Sequence, residues 1–143
     1  MTALPVAVAL ATPKDDWPHR NGELWLNTHD RDEAHTGTRR NDELLGGHGD
    51  DTVKGGWGHD VIWGDHKASG NTEHQLDRIY GGPGQDTIRV WFGRGFVDCG
   101  PGGNDILYVS KTQNHKVKRR NCERVSHKSA RVAVHDRDHL RYP

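Results

Sequence analysis

Apolar residues recur in the middle of the chain with a period of nine. Residues 46–63 read GGHGDDTVK and then GGWGHDVIW, and residues 81–89 repeat the arrangement as GGPGQDTIR. Each unit has an aspartate at its sixth position and an aliphatic residue at its eighth: Val53, Ile62 or Ile88. This period matches neither the roughly 3.6-residue turn of a helix nor the alternation of a hairpin strand. The pattern therefore predicts one unit used repeatedly, as in a solenoid of short strands.

The same frame continues in degenerate form on both sides of these units. Residues 64–80 read as one turn with eight extra residues, and 99–108 as one turn with one additional residue. The turn at 90–98 has no aspartate at the sixth position, and 109–117 retains little beyond its length. Aspartates fall at the sixth position of the other turns, at Asp42, Asp51, Asp60, Asp77, Asp86 and Asp105.

The glycines and aspartates of each unit are suited to holding a hard metal ion. Glycine permits positive φ and a tight loop whose carbonyl groups can turn inward. The aspartate adds a carboxylate, and Ca²⁺ prefers roughly six to eight oxygen ligands. Plain Asp-Gly turns without metal are the alternative, but the regular period argues against it. The candidate loop glycines are Gly46, Gly49, Gly55, Gly58, Gly81 and Gly84.

The repeat resembles the haemolysin-type, or RTX, nonapeptide GGxGxDxUx over about residues 37–117. The stretch VDCGPGGNDILYVS, followed by NCERV, also resembles the end of secreted actinobacterial-type members. The resemblance implies an all-β fold, a parallel β-roll solenoid in which successive nonapeptides alternate between two facing sheets. It also implies Ca²⁺ as the bound ion.

In such a roll, loops two repeats apart lie on one side. One side is expected to stack the loops of Asp42, Asp60, Asp86 and Asp105, and the other side those of Asp51 and Asp77. The best ion site is expected between 55–60 and 81–86, because both loops are complete. Sites between Asp42 and Asp60 and between Asp86 and Asp105 are expected to be weaker. Whether a site forms between Asp51 and Asp77 depends on how the insertion within residues 64–80 folds.

Composition indicates either that the chain is partly disordered or that something other than apolar burial holds the fold. Hydrophobic residues make up 31% of the chain and the mean hydropathy is -0.95. Ordinary domains have roughly 45–50% apolar residues, a figure that includes glycine. Metal ions and disulfides are the usual substitutes for a thin core.

The N-terminus and the cysteines bear on the compartment. The apolar run at 3–11 ends in Ala-Leu-Ala, which fits a signal-cleavage site but lacks a basic region before it; a buried N-terminal strand is the alternative. If the protein is exported, a disulfide between Cys99 and Cys122 is expected, and it would staple a C-terminal cap onto the last complete turns.

Charge and length set further limits. The 143 residues have room for one domain. Because 20 basic residues balance 20 acidic ones, net charge predicts no nucleic-acid or membrane partner, and no stretch reaches the roughly 18–20 apolar residues of a membrane span. The expected division is a partial signal peptide at 1–11, an N-terminal cap at 12–36, the roll at 37–117 with an insertion loop at 64–76, and a C-terminal cap with a basic tail at 118–143.

Several other features are interpreted as structural. The histidines, among them His48, His59, His66 and His74, show no zinc-site spacing and are expected on the surface. Trp25 and Leu26 are expected in one short strand over the N-terminal end, and Asp30 and Asp32 in an exposed acidic turn. Packing is favoured over a sugar platform for the aromatic residues Trp57, Trp63, Tyr80, Trp91 and Phe92.

These features predict a secreted Ca²⁺-binding β-roll that folds when the ion binds. No catalytic motif is present, so an enzyme is not expected. Two alternatives remain open: a structural subunit that self-associates end to end into an extracellular fibre or surface layer, and an adhesin that binds polysaccharide or a cell surface through its aromatics or basic tail.

Overall fold

The computed structural model describes residues 19–27, 29–65, 74–91 and 93–127. Within these ranges the chain forms short β-strands and a single 3-10 turn at Asn114–Lys116. The strands are β1 (Leu24–Leu26), β2 (Ala34–Thr36), β3 (Glu43–Leu45), β4 (Thr52–Lys54), β5 (Val61–Trp63), β6 (Leu76–Tyr80), β7 (Thr87–Val90), β8 (Arg94–Asp98), β9 (Ile106–Val109), β10 (Val117–Arg120) and β11 (Arg124–Ser126).

The strands alternate between two parallel sheets, as the resemblance to the RTX repeat implies. Odd-numbered strands form sheet A, in the order β1-β3-β5-β7-β9-β11, and even-numbered strands form sheet B, in the order β2-β4-β6-β8-β10. Every described pairing is parallel and joins strands two repeats apart. The expected parallel β-roll is confirmed.

The core is a narrow layer of aliphatic side chains between the sheets. In sheet A, Ile62 pairs in register with Leu44 and Ile88. In sheet B, Val53, Ile79 and Val97 lie in register across three strands. All of these side chains are fully buried in one cluster, so the aliphatic eighth position faces inward as predicted. Most turns contribute one such side chain, β7 and β9 contribute two, and only stacking encloses them.

The outward faces of the two sheets differ in character. On sheet A, outward residues Leu45, Val61 and Trp63 are buried and form a second apolar cluster with Leu24 and Leu26. On sheet B the outward positions alternate with the buried ones, and the ends of strands β4 and β10 are exposed. The roll therefore presents one apolar, covered face and one polar face.

The N-terminal end of the core is closed by two stacked rings. Trp25 in β1 packs against the core cluster, and its ring stacks on His35 of β2 at 4.5 Å between centroids and 3° between planes. The strand expected at Trp25 and Leu26 is thus present. Sequence periodicity did not predict strand β2, which carries His35 in the opposite sheet, because residues 13–36 do not follow the repeat.

At the C-terminal end, Cys99 and Cys122 form the expected disulfide, with an S–S distance of 2.00 Å. Strands β10 and β11 continue the two sheets into the segment expected to cap them. The bridge joins the loop after β8 to the loop between β10 and β11, so it ties the last two turns together.

Several predictions fall outside the described ranges. They concern the apolar run at 3–11, most of the insertion at 64–76, Phe92 and the tail beyond residue 127. In the ranges that are described, no helix is long and apolar enough to cross a membrane.

Replacing a core residue tests the contribution of this narrow layer. Ile88→Ala removes a fully buried side chain and is expected to lower the free energy of unfolding of the Ca²⁺-loaded protein by about 2–5 kcal/mol. Urea denaturation followed by circular dichroism measures the change. Arg78→Ala, on the exposed side of sheet B, serves as the control and should change it by less than about 0.5 kcal/mol. Equal effects of the two variants would contradict the packing described here.

Candidate metal centre

The loops that precede the strands of sheet A form a stack on one side of the roll. Asp42, Asp60, Asp86 and Asp105 stand directly before β3, β5, β7 and β9. On the other side, Asp51 precedes β4 and Asp77 lies at the start of β6. We name these the first and second loop stacks. Their membership agrees with the prediction from the two-repeat alternation.

The aspartates of the first loop stack are joined by hydrogen bonds in one direction. The backbone N–H of Asp42 donates to Oδ1 of Asp60 at 2.8 Å, and the N–H of Asp60 donates to Oδ1 of Asp86 at 2.9 Å. The N–H of Asp86 in turn donates to Oδ1 of Asp105 at 2.7 Å. We call this series the aspartate ladder. Each carboxylate uses one oxygen to hold the preceding loop in place.

Glutamates occur at both ends of the ladder. The N–H of Glu23 donates to Oδ1 of Asp42 at 2.6 Å, and the N–H of Asp105 donates to Oε2 of Glu123 at 3.0 Å. Sequence reasoning did not nominate either glutamate. The signal was available for Glu123, because Glu123 and Val125 stand two residues apart like Asp105 and Leu107, and β11 pairs with β9 in that register.

The second oxygen of four aspartates has no hydrogen-bond partner within the described part of the chain. These atoms are buried, and they are Oδ2 of Asp60, Asp77, Asp86 and Asp105. A buried carboxylate oxygen without a partner is costly. Each of these atoms is therefore positioned to meet a cation.

At Asp60 and Asp86 a carbonyl oxygen approaches the same space as Oδ2. A Cβ atom placed on Gly55 would lie within 3 Å of both Oδ2 of Asp60 and the carbonyl oxygen of Gly81. One placed on Gly81 would meet Oδ2 of Asp86 and the carbonyl oxygen of Cys99 in the same way. The first position of the loop must be glycine because carboxylate and carbonyl oxygens occupy the room of a side chain. Such an oxygen-only set suits Ca²⁺ or another hard cation.

The second stack repeats this arrangement. A Cβ atom on Gly64 would lie within 3 Å of Oδ2 of Asp77, and one on Gly46 would meet the carbonyl oxygen of Gly64 and Oδ2 of Asp51. The N–H of Asp51 donates to Oδ1 of Asp77 at 3.1 Å, so this pair is a shorter ladder of the same kind.

Glycines at the second and fourth positions let adjacent loops approach closely. Gly82 and Gly84 have φ of 104° and 146°, in the left-handed region that disfavours side chains. Their Cα atoms face the carbonyl oxygens of Gly56 and Gly58 in the loop two repeats earlier. A side chain at either position would be strained and would push the loops apart.

Asp42 and Asp51 differ from the other four aspartates. Both oxygens of Asp42 accept hydrogen bonds from the Thr38 hydroxyl, at 2.8 and 3.0 Å. Oδ2 of Asp51 accepts from the N–H of Gly47 at 2.9 Å, and its Oδ1 accepts from the Asn27 amide at 3.1 Å. The chain therefore supplies donors to both oxygens of Asp42 and Asp51, whereas in the other four aspartates only Oδ1 has a donor.

Burial controls the charge of the unpartnered carboxylates. Desolvation raises the pKa of Asp60 to about 7, that of Asp86 to about 8 and that of Asp77 to about 9. Hydrogen bonds from the ladder oppose the rise, and repulsion from neighbouring aspartates adds to it. Desolvation also raises the pKa of Asp105. Without a cation these sites hold protons near neutral pH, so a metal ion and protons compete for them.

Of the histidines expected on the surface, His59 and His74 are exposed, whereas His48 is half-buried and His66 lies outside the described residues. His48 contacts Asp30 at 2.8 Å, and the Asp30 side chain is 75% exposed. Nδ1 of the exposed His59 accepts the N–H of Gln85 at 2.8 Å. Over the described ranges, no three His, Cys, Asp or Glu side chains form a metal-binding group. Each loop brings one carboxylate, and the other oxygens near it are backbone carbonyls.

Among the aromatics, Trp63 is packed and Trp57 is exposed. The Arg89 guanidinium lies 4.3 Å from the ring centroid of Trp63 and 5.2 Å from that of Trp91. Trp57, in contrast, is 62% exposed at the tip of its loop. The packing interpretation thus holds for Trp63.

Comparison with known proteins agrees with this geometry. Residues 36–65 and 76–97 match the family model of the RTX calcium-binding nonapeptide repeat, in four copies. No curated protein and no solved structure matches the chain. The matched residues contain the loops 46–51, 55–60 and 81–86 and the carboxylates of Asp60, Asp77 and Asp86, whereas Asp105 lies outside them. Over these residues the chain carries RTX calcium-binding nonapeptide repeats, and the ion that such repeats bind is Ca²⁺.

Proposed function

We propose that this protein is an extracellular, non-catalytic β-roll that folds when Ca²⁺ binds between its loops. The observation that carries the proposal is the buried, unpartnered Oδ2 atom on each of Asp60, Asp77, Asp86 and Asp105. RTX-repeat rolls are generally non-catalytic, and the aspartates serve here as ladder acceptors and cation ligands.

Within the first loop stack, we assign the strongest site to the loops 55–60 and 81–86. Both loops are complete, and the carboxylates of Asp60 and Asp86 each face a first-position glycine and a carbonyl oxygen of the next loop. Asp105 and Asp77 provide the carboxylates of two further sites. Asp42 and Asp51 fit the sequence pattern, but donors from the chain already satisfy their oxygens. We therefore assign these two aspartates to the ladder.

The ion would act as the counter-charge of the ladder. When the carboxylates are ionised and no cation is present, the buried negative charges repel one another and remain desolvated. The aliphatic layer is thin, so it provides little to offset this cost. Because Ca²⁺ meets its full set of ligands only in the stacked loops, its binding free energy contributes directly to folding.

The disulfide and the ion support an extracellular location. Disulfides form and persist mainly in oxidising compartments, and Cys99–Cys122 joins the two last turns. Extracellular Ca²⁺ modules commonly bind the ion at roughly 10⁻⁴–10⁻³ M. With affinities in that range, the chain would lack bound Ca²⁺ and remain largely unfolded inside a cell, and it would bind Ca²⁺ and fold outside it.

A calcium titration tests the coupling of binding and folding. Far-UV circular dichroism of chelator-stripped, disulfide-intact protein should show a cooperative gain of β signal as Ca²⁺ is added. Mg²⁺ should give little gain at the same concentration, because it prefers a smaller octahedral shell and retains its waters. If the β signal is already complete in chelator, ion-coupled folding is refuted.

Two matched substitutions test the assignment of ligands. Asp86→Asn retains an oxygen that accepts the N–H of Asp60 but removes the charge that faces the ion. It should lower the number of bound Ca²⁺ ions by about one and raise the Ca²⁺ concentration at the folding midpoint. Asp42→Asn makes the same chemical change where Thr38 already supplies donors, and should leave the ion count unchanged. Isothermal titration calorimetry measures both, and equal losses would rule out the assignment.

The raised pKa values predict an unusual pH dependence for the metal-free protein. The pKa of Asp60, Asp77 and Asp86 is 3.8 in the unfolded chain and about 7, 9 and 8 in the roll. The unfolded chain releases these protons at lower pH than the roll does. Stability should therefore fall as pH rises from about 4 towards 9, and acid should partly replace Ca²⁺. The β signal of chelator-treated protein, recorded by circular dichroism across this range, measures the trend.

The control for the pH series is the same measurement in saturating Ca²⁺. Because the ion then occupies the carboxylates, the stability of the protein should no longer decline above neutral pH. A metal-free β signal that stays level or rises between about pH 5 and 9 would show that these aspartates do not titrate as described.

A further inference from the structure

The outward side of sheet B carries a cluster of exposed cations. Strands β4, β6, β8 and β10 lie side by side in parallel register, and outward side chains therefore form rows across them. We name this surface the basic face. Its cations are Lys54, Arg78, Arg94, Lys118 and Arg120, all exposed, and its aromatic residues are Tyr80 and Phe96, both half-buried.

The strand register places cations and rings in two alternating rows. One row runs Lys54, Tyr80, Asp98, Arg120, and the next runs Thr52, Arg78, Phe96, Lys118. Neighbouring strands are about 4.8 Å apart. Charges of one sign therefore line a flat strip about three strand spacings long, and each ring has a cation beside it.

Within these two rows the one acidic side chain is already neutralised. Oδ2 of Asp98 accepts from Nε and Nη2 of Arg120, both at 2.7 Å, and its Oδ1 accepts from the Asn121 amide at 2.8 Å. Lys54, Arg78 and Lys118 have no acidic neighbour in the rows. The strip is therefore positive although the charges of the whole chain balance.

The two rings form the centre of the strip. Tyr80 and Phe96 lie 5.9 Å apart between centroids at an angle of 57°. Lys54 Nζ is 5.9 Å from the Tyr80 centroid, and Arg120 Cζ is 5.7 Å from the Phe96 centroid. A ligand that lies along the strip would thus touch apolar ring surface in the middle and cations on both sides.

We infer that the basic face binds an acidic polysaccharide, a linear glycan bearing sulfate or carboxylate groups. The anionic groups would meet Lys54, Arg78 and Lys118, and the C–H faces of a sugar ring would rest on Tyr80 and Phe96. The length of one sugar unit in a linear glycan is close to the spacing between neighbouring strands. Successive sugar units can therefore contact the cations and the aromatic rings in turn along the strip.

This occupant fits better than two other polyanions. A bilayer surface is best met by side chains that insert between headgroups, and neither row carries an exposed aliphatic or tryptophan side chain. Single-stranded nucleic acid is held by successive bases that stack flat on free rings, whereas these two rings are tilted by 57° against each other. A sugar needs C–H contact with only part of one ring. The inference depends on the folded roll and not on the ligand assignment proposed above.

Chondroitin sulfate is a suitable probe, with uncharged dextran as its control, in saturating Ca²⁺ with the fold checked by circular dichroism. The wild-type protein should bind chondroitin sulfate, more weakly as salt is raised, and should not bind dextran. The triple variant Lys54→Gln/Arg78→Gln/Lys118→Gln should weaken binding by about tenfold or more, as expected for three exposed charge contacts.

The matched control removes the same charge elsewhere: Arg39→Gln/Arg40→Gln/Lys111→Gln, at three exposed positions outside sheet B. It should change the affinity by less than about twofold. Phe96→Ala should weaken binding without reducing its salt dependence, because it removes ring contact and no charge.

Three outcomes would overturn the inference. One is no binding by the folded wild-type protein. Another is an equal loss in the two triple variants, which would mean a general charge effect. The third is tighter binding of a single-stranded oligonucleotide, or of vesicles containing anionic lipid, through the same three cations. Since all samples are compared in the folded state, none of these outcomes bears on whether Ca²⁺ drives folding.

Discussion

The structure depends on one repeated hydrogen bond, from the backbone N–H of an aspartate to the carboxylate of the aspartate two repeats later. It sets the distance between loops and holds each carboxylate against a first-position glycine. Because one oxygen is used in this way, the other points into the space between loops. The same hydrogen bond therefore joins adjacent loops and orients the remaining carboxylate oxygen toward the ion site. A substitution that removes this bond would alter both the stacking of the loops and the ion site.

Packing alone provides little else in this fold. Each turn buries only one or two aliphatic side chains between the sheets, and the core is only as wide as that layer. The remaining stabilisation comes from elements that act at the edges: loop ions, the ring stack of Trp25 and His35 at one end, and the disulfide at the other. Cys99 contributes twice, because its carbonyl oxygen also lies beside Gly81, next to Oδ2 of Asp86.

Much of this arrangement was predictable from the spacing of residues, and some of it was not. The period of nine predicted the repeated unit and that Val53, Ile62 and Ile88 face inward. The resemblance to the RTX repeat then implied which strands pair and which aspartates share a side. It could not show that Thr38 satisfies Asp42, since that depends on how a degenerate loop bends. The basic face was also missed, because its members are far apart in sequence and join only through the register of sheet B.

The aspartate ladder has a direction. Every acceptor belongs to the later repeat and every donor to the earlier one, and the series ends on Glu123 in the disulfide-bonded turns. Loss of one carboxylate from the ladder therefore affects the two neighbouring loops differently. Truncating the Asp86 side chain would leave the N–H of Asp60 unpaired, whereas the N–H of residue 86 would still reach Asp105. Loss of one carboxylate therefore removes a hydrogen bond from the loop on its N-terminal side and leaves the hydrogen bonds on its C-terminal side in place. The stack of loops is thus held from its C-terminal end.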